Sequence, residues 1–283
     1  MPDQLPDPVE IALREDVGTA DITTQLVVPE NACAQARIVP REKAVIAGTG
    51  PAVETFRRVD PELKISVAVK DGTAVLGGEV ILDVQGSTRS ILTAERVALN
   101  FLQHLSGIAT LTRAFVEAVG KNRAKIMDTR KTTPGLRALE KAAVVAGGGV
   151  NHRFGLFDMV LVKDNHLLTQ SGFAQLSNAI RAAKQRDPSI RVEVEAENLE
   201  QVRGLIQIEG IDVILLDNME TAEMREAIAL GRRTKIKFEA SGGVNLRTVR
   251  RIAATGVDFI SVGALTHSAP AVNLSLELTP ISQ

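Results

Sequence analysis

The sequence predicts an α/β protein with a strand-rich, antiparallel N-terminal portion followed by a βα barrel. Two observations carry the barrel. After residue 124, apolar runs repeatedly end in a polar or small residue, and a helically spaced segment follows each. Lys125-Ile126-Met127 runs into Asp128, Met159-Val160-Leu161-Val162 into Lys163, and Val192-Glu193-Val194 into Glu195. Asp212-Val213-Ile214-Leu215-Leu216 runs into Asp217, Ile236-Lys237-Phe238 into Glu239, and Asp258-Phe259-Ile260-Ser261-Val262 into Gly263. The second observation is the step. Glu195, Asp217, Glu239 and Ser261 are each about 22 residues apart, the length of one βα unit. Strand–helix units without hairpin turns argue for a parallel sheet, and their regular length favours a barrel over an open sheet. Catalytic groups of such barrels sit at the C-terminal ends of the strands, where Asp128, Lys163, Glu195, Asp217 and Glu239 stand.

The earlier chain has a different grammar. Residues 1–30 carry short helical periodicity around Val9, Ile11, Ala12 and Leu13, interrupted at Asp16-Val17-Gly18 and Asp21. Ala34 to Val39, Ala44-Val45-Ile46, Ile65 to Val69 and Val80 to Val84 are short β-rich runs, with turn chemistry at Asp71-Gly72 and Gly77-Gly78. Residues 51–58 suit one helix. From 90 to 119, Leu92, Val97, Leu99, Leu102 and Leu105 recur at roughly helical intervals. Ser106-Gly107 is expected to break that helix, and a second one follows. Arg96 and Asn100, four apart, share a face if the helix is continuous. In 245–255, Leu246, Val249, Ile252 and Ala253 form one stripe behind an Asn245 N-cap. The tail from Val272 to Leu278 alternates strictly, which predicts a half-buried strand added to the N-terminal sheet.

Bulk properties narrow the function. The 283 residues suffice for one large domain or two moderate ones. With 33 basic and 34 acidic side chains there is no global pull toward nucleic acid or an anionic membrane. Trp and Tyr are absent, so stacking platforms for single strands are not expected. The single cysteine, Cys33, excludes a disulfide framework and a multi-cysteine metal site. No run has the length of a membrane span and no basic leader precedes the first helix, so the expected location is the cytoplasm.

Three constellations carry chemistry. Arg130, Lys131, Arg153 and Lys163, with His152 and His166, concentrate positive charge in residues 125–166 of a chain with net charge −1. Arg grips carboxylates and phosphates bidentately, so this stretch should face an anion; the competing reading is a solvated basic surface. Glu195 and Asp217, at adjacent strand ends, can hold a divalent ion, hydrogen-bond ribose hydroxyls or stabilise a developing cation. Their competing reading is a structural pair answering nearby Lys and Arg. Glu193 shares the parity of Glu195, so both should point inward and both should meet cations. Ser241-Gly242-Gly243 and Val262-Gly263-Ala264 follow two successive strands, which suits a phosphate cradle of backbone N–H groups. Gly147-Gly148-Gly149 is expected to end a helix over 137–146. His104, His166 and His267 are each ambiguous, and no two histidines have the spacing of a helical metal pair. These residues describe a barrel enzyme for a small polyanion bearing phosphate and carboxylates, with a divalent metal as participant. Spacing alone does not name the reaction.

The run Asp128-Thr129-Arg130-Lys131-Thr132-Thr133-Pro134-Gly135-Leu136-Arg137, then Glu140-Lys141, Gly147 to Arg153, Gly155-Leu156 and Lys163 to His166, closely resembles the quinolinate phosphoribosyltransferase family, the type II phosphoribosyltransferases. Glu95 to Asn100, Ser106 to Thr110, Glu193-Val194-Glu195, Leu216-Asp217-Asn218, Glu239 to Gly243 and Ser261 to Ser268 extend the resemblance over nearly the whole chain in order. It implies an N-terminal α/β sandwich over 1–106, joined by the C-terminal strand 268–283, and an incomplete, six- or seven-stranded α/β barrel over 107–267. It implies a homodimer, or a higher oligomer, in which Arg96 of one subunit completes the other's site. The implied reaction joins quinolinate to phosphoribosyl pyrophosphate with Mg²⁺, giving nicotinate mononucleotide, pyrophosphate and CO₂ in NAD synthesis. The family pattern assigns the quinolinate carboxylates to Arg96, Arg130, His152, Arg153 and Lys163, with Thr129 beside them. Lys131 is expected at the pyrophosphate or the substrate. Lys131, Glu195 and Asp217 are the expected catalytic groups, the two acids holding metal directly or indirectly. The 5′-phosphate is expected on Ser241, Gly242, Gly243, Val262, Gly263 and Ala264. Val97 stands where many relatives carry Thr. Two alternatives stay open here: the molybdenum-transport-associated paralogue of the same fold, and a non-catalytic barrel that binds small anions.

Overall fold

A computed structural model of the chain describes residues 7–163 and 173–281. Asp164, Asn165 and His166 lie outside the described residues. The strands are β1 (Cys33–Pro40), β2 (Ala44–Val45), β3 (Lys64–Val67), β4 (Ala74–Val75), β5 (Leu82–Ser87), β6 (Lys125–Met127), β7 (Val160–Val162), β8 (Val192–Ala196), β9 (Val213–Asp217), β10 (Lys237–Ser241), β11 (Phe259–Ser261) and β12 (Leu274–Ile281). The chain divides into two compact units. The first comprises residues 7–113, 132–148 and 265–281, and the second comprises 114–131, 149–163 and 173–264.

The first unit is built on a four-stranded antiparallel sheet in the order β12-β1-β5-β3. Alternation explains it. Ala34, Ala36 and Ile38 of β1 are fully buried on one face, and their neighbours point away. Phe56, Leu82, Val84, Ile91 and Leu102 complete that core. The C-terminal β12 runs the length of β1, pairing Cys33 with Ile281 and Pro40 with Leu274. The helix Pro8–Val17 starts where the Asp7 carboxylate accepts the Val9 amide, and it ends at Gly18, whose φ of 56° suits glycine.

One expectation fails in this unit. Ser106-Gly107 does not break the helix, which runs unbroken over Thr88–Val119. The two small residues serve packing instead. Ser106 Oγ accepts the Ala47 amide at 3.0 Å and donates to the Ala47 carbonyl at 3.1 Å. A Cβ on Gly107 would run into the Pro270 carbonyl. A close backbone approach, which periodicity does not register, overrides the helix propensity of glycine.

The second unit is a six-stranded parallel sheet in the order β6-β11-β10-β9-β8-β7. The first strand in sequence lies against the last, as winding into a barrel requires, and Met127 makes a further parallel bridge to Val150. Among the described residues β7 has β8 as its one strand partner, so the ring is incomplete. Register fixes which side chains share a face. Val162 pairs with Val194, which puts Lys163 level with Glu195. Leu215 pairs with both Glu195 and Glu239, and Ser241 pairs with Asp217. Glu193, Glu195, Asp217, Glu239 and Ser241 therefore project from one face, and Val192, Val194, Ile214, Leu216 and Ala240 from the other. The helix at 249–253 follows an Asn245 turn rather than starting at it, and Leu246 is exposed. No described helix is long and apolar enough to cross a membrane.

The Gly107 reading is testable by thermal unfolding. Gly107→Ala should cost about 1–3 kcal/mol, the usual range for overpacking. Gly50→Ala, in the first turn of the helix Thr49–Val59 where an added Cβ meets nothing within 4 Å, should instead stabilise by about 0.4–1 kcal/mol.

Candidate active site

Every sequence-predicted site residue except Arg96 falls in the second unit, at or just beyond the C-terminal ends of its strands. Arg96 is exposed on the helix Thr88–Val119 of the first unit. Thr129, Arg130 and Lys131 follow β6, and the Lys131 amide donates to Thr129 Oγ1 at 3.0 Å, which shapes that turn. Val262, Gly263 and Ala264 follow β11, with the Val262 amide bonded to the Met127 carbonyl at 2.9 Å.

His152 is the most constrained of these residues. Its amide donates to Oδ1 of Asp128, a fully buried carboxylate, at 2.8 Å. Its Nδ1 accepts the Arg153 amide at 2.8 Å. A nitrogen that accepts carries no proton, so the ring proton of the neutral imidazole sits on Nε2. Nε2 lies 3.1 Å from Glu193 Oε2 and 3.7 Å from Glu239 Oε2. Both acids are 1% exposed. Burial raises the Glu239 pKa well above its usual value, and the neighbouring Glu193 charge raises it further; the Ser261 hydroxyl and Arg191 oppose that rise. Glu195 meets a cation as expected, its Oε2 lying 3.1 Å from Lys163 Nζ. Glu193 has the His152 imidazole as its nearest partner, and its charge also acts on Arg153.

Arg153 stands next along the chain. Its Nη1 donates to the Met159 carbonyl at 3.3 Å, and Asp158 holds the following loop by accepting the Phe154 and Gly155 amides at 2.6 and 2.9 Å. Burial lowers the Arg153 pKa, and the positive charge of Arg130 lowers it further. The charges of Glu193 and Asp158 oppose that fall, so Arg153 stands among charges of both signs.

At the ends of β9 and β10 the backbone is unusual. Asn218 follows Asp217 with φ 53°, the sole non-glycine with positive φ among the described residues. Its amide donates to the Ser241 carbonyl at 3.0 Å, and its side chain donates to Asp217 Oδ2 at 2.8 Å. Gly242 has φ 91°, and a Cβ there would strike Asn218 Oδ1. The two strand ends are interlocked, which sets Asp217 and the Ser241-Gly242-Gly243 loop in one arrangement. Asn218 was visible in the sequence as a polar residue after a strand end, but nothing marked its left-handed backbone. Of the other histidines, His104 Nε2 lies 2.8 Å from buried Glu140, and His267 Nδ1 lies 2.6 Å from the Ser268 hydroxyl.

The buried acid gives a pH prediction. In the unfolded chain the Glu239 carboxyl ionises near the ordinary value of 4.5, whereas in the folded protein it keeps its proton to higher pH. Between those two values the folded state binds more protons, so stability falls as pH rises. Glu239→Gln, neutral throughout, should lessen the decline of Tm with rising pH, and a scan of Tm across pH checks the sign.

The geometry has counterparts among known proteins. Residues 21–106 match the model of the quinolinate phosphoribosyl transferase N-terminal domain, and residues 108–277 match that of its C-terminal domain. A probable carboxylating nicotinate-nucleotide pyrophosphorylase of Bacillus subtilis is 42% identical over 265 residues, covering 94% of this chain and 90% of that protein. The carboxylating nicotinate-nucleotide pyrophosphorylase of Mycobacterium leprae is 43% identical over 277 residues, covering 96% of each. The crystal structure of NadC from Streptococcus pyogenes superposes with a TM-score of 0.91 at 40% identity, covering 100% of this chain and 99% of that one. With both domain models matched in order and near-complete coverage of each relative, the chain belongs to the quinolinate phosphoribosyltransferase family.

Proposed function

We infer that the protein is a pentosyltransferase that moves the phosphoribosyl group of phosphoribosyl pyrophosphate onto quinolinate, with decarboxylation, in NAD biosynthesis. The products are nicotinate mononucleotide, pyrophosphate and CO₂. The relatives' names support the reaction. The observation that carries it is the placement of Arg130, Arg153 and Lys163 around the strand ends of one parallel sheet, with the charge of Arg130 felt at Arg153. Quinolinate brings two adjacent carboxylates, and a planar guanidinium grips a carboxylate with two parallel bonds. Lys163, now paired with Glu195 at the same strand ends, is proposed to meet a substrate carboxylate instead. His152 contributes by position, since both its ring nitrogens are already bonded.

The bond from ribose C1′ to pyrophosphate oxygen breaks, and the bond from C1′ to the pyridine nitrogen forms. Positive charge grows on the ribose ring meanwhile, and the Glu195 and Asp217 carboxylates offset it. Lys131 is proposed to meet the departing pyrophosphate, and Gly242, Gly243 and Gly263 to cradle the 5′-phosphate with main-chain N–H groups. Quaternising the ring nitrogen gives the ring room for the electron pair that CO₂ leaves behind. A solvent proton then fills the vacated carbon. Held cations contribute here through orientation more than proton transfer.

Magnesium is proposed to arrive with phosphoribosyl pyrophosphate and neutralise charge on its oxygens. Glu195 and Asp217 suit it as oxygen donors on neighbouring strands, directly or through water. A homodimer in which Arg96 of a second copy completes the site is part of the proposal, as is a cytoplasmic location. The exposed apolar side chains of Ile22, Leu26 and Val27 are consistent with a partner surface.

Incubation with quinolinate, phosphoribosyl pyrophosphate and Mg²⁺ should release nicotinate mononucleotide and CO₂ in equal amounts. Absence of product across pH and metal, or equal use of nicotinic acid, would overturn the assignment. Arg130→Ala or Arg153→Ala should weaken quinolinate binding by about 1.5–3 kcal/mol, one charge-assisted contact, as read by calorimetry. Mixing inactive Arg96→Ala with inactive Lys131→Ala should restore activity in exchanged dimers if the site is shared.

A further inference from the structure

Three groups from distant parts of the sequence meet beside Arg153: half-buried His152, and the fully buried Glu193 from β8 and Glu239 from β10. Their nearest polar atoms all lie within 4.8 Å of one another. By hydrogen-bond geometry Glu193 Oε1 and both Glu239 oxygens lack a partner among the described residues, with the Ser261 hydroxyl near enough to Glu239 to favour its charged form. Two carboxylates this close and this dry cannot both be left bare. Two arrangements would close the account. A transition-metal ion could take the imidazole and both acids as ligands. Alternatively, one acid could carry a proton and donate it to the other.

The main chain decides between them. A ligating imidazole nitrogen needs its lone pair. Here the Arg153 amide occupies the lone pair of Nδ1, which places the proton on Nε2, the nitrogen that faces the acids. An ion in the cluster would need that nitrogen stripped of its proton. With the proton retained, Nε2 donates to Glu193 Oε2, and a Glu239 hydroxyl can donate to the empty Glu193 Oε1. Every member then has a partner, and one negative charge remains.

We propose that Glu193 and Glu239 are positioning residues, a carboxylate and a carboxylic acid that together lock the His152 ring in the Nε2–H tautomer and thereby fix the direction from which Arg153 meets its anion. The linkage is short. The ring's Nδ1 holds the Arg153 amide, and Asp128 holds the His152 amide, so the peptides on both sides of His152, the second of which leads into Arg153, are gripped. Neither acid touches substrate in this arrangement. The charge of Glu193 also answers Arg153 across the cluster and opposes the fall in its pKa.

The identity of the anion as quinolinate rests on the function proposed above, so the test has one arm that does not depend on turnover. Nitrogen-15 NMR of the four histidines, assigned by replacing the other three in turn, should show His152 at neutral pH with a protonated Nε2 and a bare Nδ1. A protonated Nδ1, a doubly protonated ring, or stoichiometric transition metal in the purified protein would overturn the clamp. The second arm compares Glu239→Gln with Glu239→Ala for quinolinate affinity by calorimetry and for KM of each substrate. Glutamine keeps the donor and should recover at least tenfold of the quinolinate affinity lost in the alanine variant, with KM for phosphoribosyl pyrophosphate moving by less than threefold in either. A glutamine variant as impaired as alanine would overturn the proposal. If the wild-type protein forms no nucleotide, the function fails while the NMR arm still decides the clamp.

Discussion

A charged side chain buried inside a fold has no water to fall back on, and that constraint arranges the acids of the second unit. Strand parity aims Glu193, Glu195 and Glu239 the same way. Each must therefore find compensation inside the fold. Glu195 finds Lys163, Glu193 finds a neutral imidazole, and Glu239 keeps its proton to a higher pH than an exposed acid would. Three glutamates on one surface thus have three electrostatic fates. The difference lies in what stands opposite each, since the residue type is constant.

The same reasoning applies in reverse to the cations. Arg153 is partly withdrawn from water and feels Arg130, and both effects disfavour its charge. The charges of Glu193 and Asp158 offset part of both effects. The nearby backbone is also unusual. Asn218 in a left-handed conformation and the missing Cβ of Gly242 let two loops approach more closely than ordinary residues permit. Strain of this kind persists where the surrounding packing enforces it.

Much of this was legible in the sequence because strand and helix periods are local. The polar residue after each apolar run located the strand ends at Asp128, Lys163 and Asp217, whereas β8 runs one residue past Glu195 and β10 two past Glu239; β12 was evident from its alternation. Other features depend on segments far apart along the chain. Gly107 reads as a helix breaker until Pro270 is seen against it. Nothing in the spacing of residues 152, 193 and 239 says that a ring with its proton on one nitrogen will stand between two acids. The left-handed Asn218 is likewise set by contact with Ser241 on the neighbouring strand.

The incomplete ring has a kinetic meaning. Strands β8 to β11 each have a ladder on both sides, whereas β7 is tied to β8 alone among the described residues. Lys163 rides on the end of that singly tied strand. An edge strand is held by one ladder rather than two, so local opening there takes less free energy than in the middle of the sheet. If Lys163 exchanges Glu195 for a substrate anion as proposed, it does so from the end of such a strand.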